Sequence, residues 1–296
     1  MATGTYPVPQ IGLTAGASFI PEVWSSEILR SVEHNLVLAD KLKRYDSDVK
    51  SKGDVLHIPE LSDLTAHVKV HNTAVTLNAP TDGEKTITID QHYETSFMIE
   101  DIAKVQSAYN LMSEYTNKAG YSIAKTVDTA ISTLAAGAGV TQTVGNGSTD
   151  ITDANIIRAI QYLDEADAPE SDRYFVINPA AKADLMAIDK FVLRTGPGWS
   201  PDNSPILNGA KDNGFWGDIY GAKVFVSNNL VTTASTPSVV HNILFQKEWA
   251  GLAMQQSPRT QSQYKQEYLA TLVTVDVLYG MGILRPTFAV DFNAKA

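Results

Sequence analysis

The stretch YNLMSEYTNKAGYSIAKTVDTAISTLAAG, residues 109–137, predicts one long helix around which the fold is organised. Together with the residues just before it, it repeats apolar or small side chains every three or four positions, which is the period of an α-helix. Asp101 and Ser107 can each cap a first turn, so we expect the helix to begin at one of them. An average helix has about 11 to 12 residues, so this one indicates a structural span. The repeating positions are Ile102, Val105, Tyr109, Met112, Thr116, Ala119, Ile123, Val127, Ala130 and Leu134.

Residues 50–95, before this helix, predict a long two-stranded excursion with much of its surface exposed. GDVLHIP (53–59) and HVKV (67–70) are short strand candidates, and Asp82-Gly83 is a favourable hairpin turn. An isolated hairpin is only marginally stable in water, and this one has few large apolar residues. We therefore expect its partner to be another molecule. The clearest strand signal is the period-two alternation of Ile87, Ile89, Tyr93, Phe97 and Ile99.

The second half of the chain alternates helices and strands, which together with the first half predicts an α+β fold. After a flexible connector at 137–150, a helix is predicted from the cap Thr152 to just before Pro169. Asn178 caps a further helix, with Pro179 in its first position. Strands are predicted in RYFVIN, GAKVFVSNN, HNILFQ and the C-terminal run, and a Gly/Pro/Asn-rich loop is predicted at 195–214.

The composition of the 296-residue chain excludes several classes of function. There is no cysteine, which rules out disulfides, thiolate zinc sites and cysteine nucleophiles. The formal net charge is −10 and no long basic run is present, so we do not expect a protein that reads nucleic-acid sequence. No stretch of 18 consecutive apolar residues occurs, and the N-terminus does not resemble a signal peptide. The first 20 residues predict an extended arm, followed by a short amphipathic helix at Pro21–Val32.

A search for metal-binding patterns gives two weak matches. DSDVKSKGD, residues 46–54, begins like a calcium loop, but Ser51 replaces the required glycine and no glutamate stands at the twelfth position. His67 and His71 have a spacing that suits zinc on a helix, but they lie among strand signals, so we expect them to face solvent or an interface. We predict no metal ligand.

Catalytic signatures are also missing from the sequence. There is no phosphate-binding GxxxxGK[ST] loop and no GxSxG nucleophile elbow. The acidic pair Glu100-Asp101 suits a helix N-terminus, and Asp164, Glu165 and Asp167 suit a solvated helix face. We therefore predict no catalytic residue and no cofactor, and an α/β enzyme with an unrecognised site is the weaker alternative.

The order of elements resembles that of the major capsid proteins of tailed double-stranded DNA bacteriophages, which share the Hong-Kong-phage-type capsid fold. That order is an arm, a short helix, a long β-excursion, a long helix, an α/β half and returning strands. No single stretch is diagnostic alone, but the five together are fairly specific. The stretches that carry the resemblance are residues 19–59, 97–131, 172–185, 214–230 and 255–286.

The resemblance implies five regions. They would be an N-terminal arm (1–49), an extended loop across a neighbouring subunit (50–98), a peripheral domain with the long helix as its spine (99–171), an axial domain (172–270), and return strands of the peripheral domain (271–296). The loop at 195–209 would lie near the centre of a capsomer.

The implied function is a structural one. Copies of the chain would assemble into pentamers and hexamers of an icosahedral shell, built in the host bacterial cytoplasm and found in the virion. The shell would enclose double-stranded DNA, which it would contact non-specifically, and no membrane would be involved. An acidic inner wall would hold packaged DNA without adhering to it.

Departures from the family pattern leave further possibilities open. The chain has no room for a removable scaffolding segment, so separate scaffolding, decoration and portal proteins are the expected additional partners. Lys69 and Lys85 lie where some family members cross-link their subunits, but no motif assigns them that role. A nanocompartment (encapsulin-like) shell protein of the same fold is the alternative within the same class.

Overall fold

The computed structural model describes residues 37–50, 53–102, 111–137, 139–188, 215–234, 236 and 238–295. Its helices are α1 (Asp46–Val49), α2 (Leu111–Ala136), α3 (Asp153–Glu165) and α4 (Pro179–Ala187). Its first strands are β1 (Lys43–Arg44), β2 (Val55–Glu60), β3 (Gly83–Thr88), β4 (Gln91–Glu100), β5 (Gln142–Val144) and β6 (Arg173–Ile177). The remaining strands are β7 (Phe215–Ile219), β8 (Ala222–Val226), β9 (Thr232–Thr233), β10 (Val239–Gln246), β11 (Ala250–Lys265), β12 (Ala270–Ile283) and β13 (Ala289–Lys295).

A four-stranded sheet is built on the long hairpin of β11 and β12, in the order β1-β11-β12-β4. The hairpin pairs antiparallel from Ala250 with Ile283 to Lys265 with Ala270, and its register shifts between Met254 and Arg259. Strand β11 has no counterpart among the strands predicted from the sequence. Its C-terminal half is polar and exposed, and Pro258 lies within the irregular part, where a ladder hydrogen bond is not needed.

A seven-stranded sheet contains the α/β half of the chain, in the order β5-β13-β10-β6-β8-β7, with β9 paired to the outer part of β10. Strand β6 is buried at every residue, as expected for a central strand covered on both faces. The C-terminal strand β13 belongs to this sheet, whereas β11 belongs to the other. The five predicted regions remain a prediction. Their boundaries do not coincide with the division of the strands between the two sheets.

Helix α2 contacts strands of both sheets, including β4 and β12 of one and β10 and β13 of the other. Its side chains Ile123, Val127 and Ile131 are at most 2% exposed and belong to one hydrophobic core that extends into both sheets. The predicted stripe is confirmed from Met112 to Val127. Ile102, at its start, is 65% exposed, and Val105 and Tyr109 lie outside the described residues. Beyond Val127 the buried positions move by one residue, to Ile131 and Ala135.

The two predicted helix caps of the second half are confirmed. The backbone N–H of Asn155 donates to Thr152 Oγ1 at 3.4 Å. The backbone N–H of Ala181 donates to Asn178 Oδ1 at 2.7 Å, with Pro179 in the first turn of α4. Each cap satisfies a donor that the first helical turn leaves without an intrahelical partner.

The predicted turn at Asp82-Gly83 is wrong. Gly83 is the first residue of β3 and pairs with Glu60 of β2, so the two strands are separated by residues 61–82. The chain reverses instead near Asn72, which has a positive φ of 62°. The predicted strand at HVKV is also wrong, because residues 67–70 form no ladder.

The alternation at 81–99 is confirmed, but it covers two strands of different sheets. Strand β3 pairs with β2, and β4 pairs with β12. The predicted long helix is confirmed over Leu111–Ala136. The helix at Pro21–Val32, the start at Ser107 and the loop at 195–214 lie outside the described residues.

Candidate assembly surfaces

Residues 61–82, between β2 and β3, are a part of the predicted loop region 50–98 that forms no strand, and they are called the extended loop below. This extended loop exposes its apolar side chains. Six of them are 60% to 93% exposed, although monomeric proteins rarely expose contiguous apolar patches of large size. They are Leu61, Leu64, Val68, Val70, Val75 and Leu77. Apolar side chains at this density in a segment without its own core indicate a surface that another molecule covers.

Side chains, rather than a strand ladder, hold the two arms of this loop together. His67 Nε2 and Asn78 Oδ1 lie 2.8 Å apart, and Asn78 Nδ2 donates to the carbonyl of Thr65 at 2.8 Å. The backbone N–H of Thr81 donates to Ser62 Oγ at 3.0 Å. Between described residues, the loop forms one backbone–backbone hydrogen bond, from Thr73 N–H to the carbonyl of Val70. Most of its peptide groups are therefore free to pair with another chain.

The base of the extended loop is fixed by glycines in β12. A Cβ atom on Gly280 would lie 2.3 Å from the carbonyl oxygen of Thr88, and one on Gly282 would lie 2.8 Å from that of Thr86. Such distances are far below van der Waals contact, so only glycine lets β3 cross β12 this closely. Ile87 is fully buried in a small core at this crossing. The loop therefore extends from a rigid base.

A groove of about 730 Å³ runs between helix α2 and the ends of β4 and β12. Its lining includes Tyr93, Leu134 and Met281, with Lys125 as a cation at its edge. Its other lining residues are Gln91, Ser122, Thr126, Thr129, Ala130, Thr133, Gly137, Gly139 and Ile283.

The threonines of this groove do not offer free hydroxyl donors. Thr126, Thr129 and Thr133 donate to the helix carbonyls four residues earlier, at 2.9, 2.7 and 2.8 Å. Hydrogen bonds of this kind are common for threonine within helices. The outer face of α2, which the sequence presents as polar, is therefore suited to receive apolar side chains.

The histidines and lysines considered from the sequence lie on the loop and at its base. His67 Nε2 lies within hydrogen-bond distance of Asn78 Oδ1, and Lys69 Nζ donates to the carbonyls of Val70 and Thr73 at the tip. Lys85 forms an ion pair with Glu60 across β2 and β3 at 3.2 Å. Among the described residues, no group of three His, Cys, Asp or Glu is arranged to hold a metal ion.

The acidic residues considered from the sequence have structural partners. Asp46, in the calcium-like stretch, accepts the backbone N–H of Met254 at 2.8 Å, which fixes α1 on β11. Asp101 accepts the Tyr264 hydroxyl at 2.8 Å. Asp164 pairs with Arg173 at 2.7 Å. No described helix is long and apolar enough to cross a membrane.

Buried carboxylates were not singled out in the sequence. Asp276 on β12 is held by Arg259, His92 and Gln256, and although burial raises its pKa, these bonds outweigh burial and keep the pKa below its usual value. Asp291 on β13 bonds to His241, and burial raises its pKa.

Asp128 on α2 is 0% exposed. A signal for it was present in the sequence, because Asp128 follows Ala124 by four residues and precedes Ile131 by three, although none of the three belongs to the predicted stripe.

Solved structures that share this fold include the capsids of phages. A structure from Mycobacterium phage Che8 is similar over 94% of this chain and 98% of its own, with 24% identity and a TM-score of 0.66. The capsid of cyanophage P-SCSP1u is similar over 95% and 92%, with 18% identity and a TM-score of 0.69. The capsid of Ralstonia phage GP4 is similar over 100% and 97%, with 12% identity and a TM-score of 0.66. The predicted Hong-Kong-phage-type capsid fold is confirmed.

The family follows from the sequence itself. The family model described as "Phage capsid protein" matches residues 83–291, more than two thirds of the chain. The chain belongs to this family, and its function is that of a major capsid protein with a structural role. This finding favours the phage capsid interpretation over the nanocompartment alternative. No curated protein sequence matches the chain.

Proposed function

We propose that copies of this chain assemble into the pentamers and hexamers of an icosahedral phage head that encloses double-stranded DNA. The observation that carries the proposal is the extended loop, whose six exposed apolar side chains have no partner within the described part of the chain. In a closed shell, repeated contacts between different surfaces of identical subunits supply such a partner. The role is structural and not enzymatic.

The five regions predicted from the sequence keep their assignments in this proposal. Residues 1–49 act as the arm, 50–98 as the extended loop, 99–171 as the peripheral domain, 172–270 as the axial domain and 271–296 as the return strands. The shell is built in the host cytoplasm and becomes part of the virion. Separate scaffolding, decoration and portal proteins are its further partners.

The receiving surface for the extended loop is the groove beside helix α2 of a neighbouring copy. The groove is lined largely by carbon atoms, and its threonine hydroxyls are already bonded to the helix. Its cation, Lys125, can pair with Asp63, which is exposed on the loop. Apolar burial would supply most of the contact energy, at about 25 cal/mol per Å².

Electron microscopy of the purified full-length chain tests the proposal. We expect rings or closed shells, and particles from infected cells that contain DNA. A chain that stays a small monomer at high concentration would contradict the shell function and support the enzyme alternative. Shells that contain a protein cargo instead of DNA would support the nanocompartment alternative.

A charge placed in the groove tests the receiving surface. Thr133→Glu should prevent shell formation, because the carboxylate would be buried among apolar side chains without a partner. Asn117→Glu is the matched control, since Asn117 is exposed on the same helix and does not line the groove. If both variants assemble normally, the loop docks elsewhere, whereas the microscopy of the unmodified chain still decides the shell function.

The net charge of −10 leads to one more expectation. The inner wall of the shell should carry an acidic or neutral potential, so that packaged DNA is retained without adhering to it. A map of the assembled particle gives this potential directly, and a strongly basic lining would overturn the expectation.

A further inference from the structure

Asp128 is a fully buried carboxyl group on the apolar face of helix α2. Its neighbours along the helix face, Ala124, Val127 and Ile131, belong to the main hydrophobic core. Burying a charge is costly unless it is paired and hydrogen-bonded. The hydrogen-bond partners of this carboxyl group therefore indicate its structural role.

Those partners are backbone N–H groups from one segment. Val37 donates to Oδ2 and Leu38 donates to Oδ1, both at 3.3 Å. The N–H of Ala39 and the side-chain amide of Asn229 also lie close enough to the carboxyl group to lower its pKa. Asp128 thus receives the donors at the start of the 3-10 turn Ala39–Lys41, as a capping residue would, but from a helix some 90 residues away in the chain.

Segment 37–42 is buried against the core that α2 helps to form. Leu38 and Ala39 are 0% exposed and Leu42 is 1% exposed. The segment leads from the first 36 residues of the chain into strand β1. The strength of its binding to α2 therefore determines how firmly the chain is attached to the core at this point.

Within the described part of the chain, no cation is paired with Asp128. The groups that act most on its pKa are the backbone N–H groups and the amide of Asn229, all uncharged. In the turn, Asp40 and Lys41 pair with each other at 2.8 Å. On the other packed elements, His241 bonds to Asp291 and Asp276 bonds to Arg259. The remaining described charged groups on α2 and on the elements packed against it are Lys118, Lys125, His92, Glu94, Glu100 and Lys295.

Burial therefore dominates the chemistry of this carboxyl group. It raises the pKa of Asp128 to about 6, although the bonds from Val37, Leu38 and Ala39 act in the opposite direction. If segment 37–42 leaves the helix, water reaches the carboxyl group and its pKa returns towards the ordinary value of 3.8. A group whose pKa is higher in the docked state takes up a proton on docking, so acid favours docking.

We propose that Asp128 makes the attachment of residues 37–42 to helix α2 depend on protonation, firm when the carboxyl group is neutral and looser when it is ionised. The amide of Asn229 can serve both forms, because it carries donors for the carboxylate and an acceptor for the protonated group. At neutral pH the segment stays attached by the burial of Leu38, Ala39 and Leu42. The inference does not depend on shell assembly.

Hydrogen–deuterium exchange of the full-length chain tests this attachment. Protection factors of peptides covering residues 37–42 are measured from pH 5 to pH 7.5, at a constant oligomeric state checked by light scattering. The two pKa values predict that protection falls about tenfold over this range. A flat profile in the unmodified chain would overturn the proposal.

Two variants assign the effect to Asp128. D128N removes the titrating group, so the protection factors of residues 37–42 in this variant should not change with pH. D184N is the matched control, because Asp184 also accepts a backbone N–H, from Ile151 at 3.4 Å, and also has a raised pKa through burial. It should keep the tenfold change. A slope that survives in D128N, or that is lost in D184N, contradicts the assignment, and the unmodified chain decides the question if D128N does not fold.

Discussion

Helix α2 and the extended loop are both unusually long, but they differ in where their stabilising contacts come from. The helix buries Ile123, Val127 and Ile131 within the chain and contacts both sheets. The loop exposes Val68 and Leu77 at 93% and 84%, and its arms are joined by side-chain bonds. An element of the first kind stabilises the subunit, whereas one of the second kind is completed by a neighbour.

The largest change in the free energy of unfolding is expected for Ile131→Ala in helix α2. Ile131 is 0% exposed, so the substitution leaves a cavity and should lower the free energy of unfolding by about 3 kcal/mol. Ile157→Ala on α3 is the matched control, since Ile157 is 47% exposed and should cost about 0.5 kcal/mol or less. Denaturant unfolding of both variants measures the difference. Equal effects would show that α2 is not the stabilising element.

The junction between the two regions is tested by Gly280→Ala. The added methyl group would lie 2.3 Å from the Thr88 carbonyl oxygen, so β3 must move and the free energy of unfolding should fall by about 2 kcal/mol. Gly83→Ala, on β3 itself, is the control, because its nearest contact would be 3.8 Å away, to Glu60. Thermal unfolding should separate the two, and a neutral Gly280→Ala would mean that the base of the loop is not rigid.

The third largest effect is a dependence of the free energy of unfolding on pH, which comes from Asp128 in helix α2. Because the folded-state pKa of Asp128, about 6, exceeds its ordinary 3.8, its contribution to stability is fully present below pH 3.8 and is lost as pH rises through 6. Between pH 7.5 and pH 5, Asp128 should therefore add on the order of 1 kcal/mol to the free energy of unfolding. The difference between the unmodified chain and D128N measures this term, and a difference independent of pH would contradict it.

Substitutions in the extended loop should have the smallest effect on stability and the largest effect on assembly. The triple variant Val68→Ser, Val75→Ser, Leu77→Ser should change the free energy of unfolding by less than about 0.5 kcal/mol, because these side chains are exposed. It should nevertheless abolish shells in electron microscopy. The control Thr65→Ser with Thr76→Ser alters the same loop without touching its apolar side chains. A triple variant that unfolds easily would place the loop within the subunit core instead.

Much of the fold could be predicted because its signals are local. The repeat of three and four along α2, the alternation from Ile87 to Ile99 and the caps Thr152 and Asn178 each depend on neighbours within a few residues. The turn of the extended loop was misplaced, because Asp82-Gly83 has the chemistry of a tight turn, while the arms on either side of the actual reversal near Asn72 are joined by side-chain bonds between residues 11 to 19 positions apart. Strand β11 was missed because its polar half acquires strand geometry only from pairing with β12.

The candidate surfaces were likewise only partly predictable from the sequence. The sequence by itself determined that residues 50–95 carry few large apolar side chains and that a long helix follows them, because hydrophobic patterning depends only on side-chain identity. Only the tertiary structure decided that the threonines of α2 line an apolar groove, that Gly280 admits the backbone of β3, and that Asp128 holds residues 37–39. These contacts join residues far apart in the chain. Their geometry therefore depends on how whole sheets pack, which no local pattern specifies.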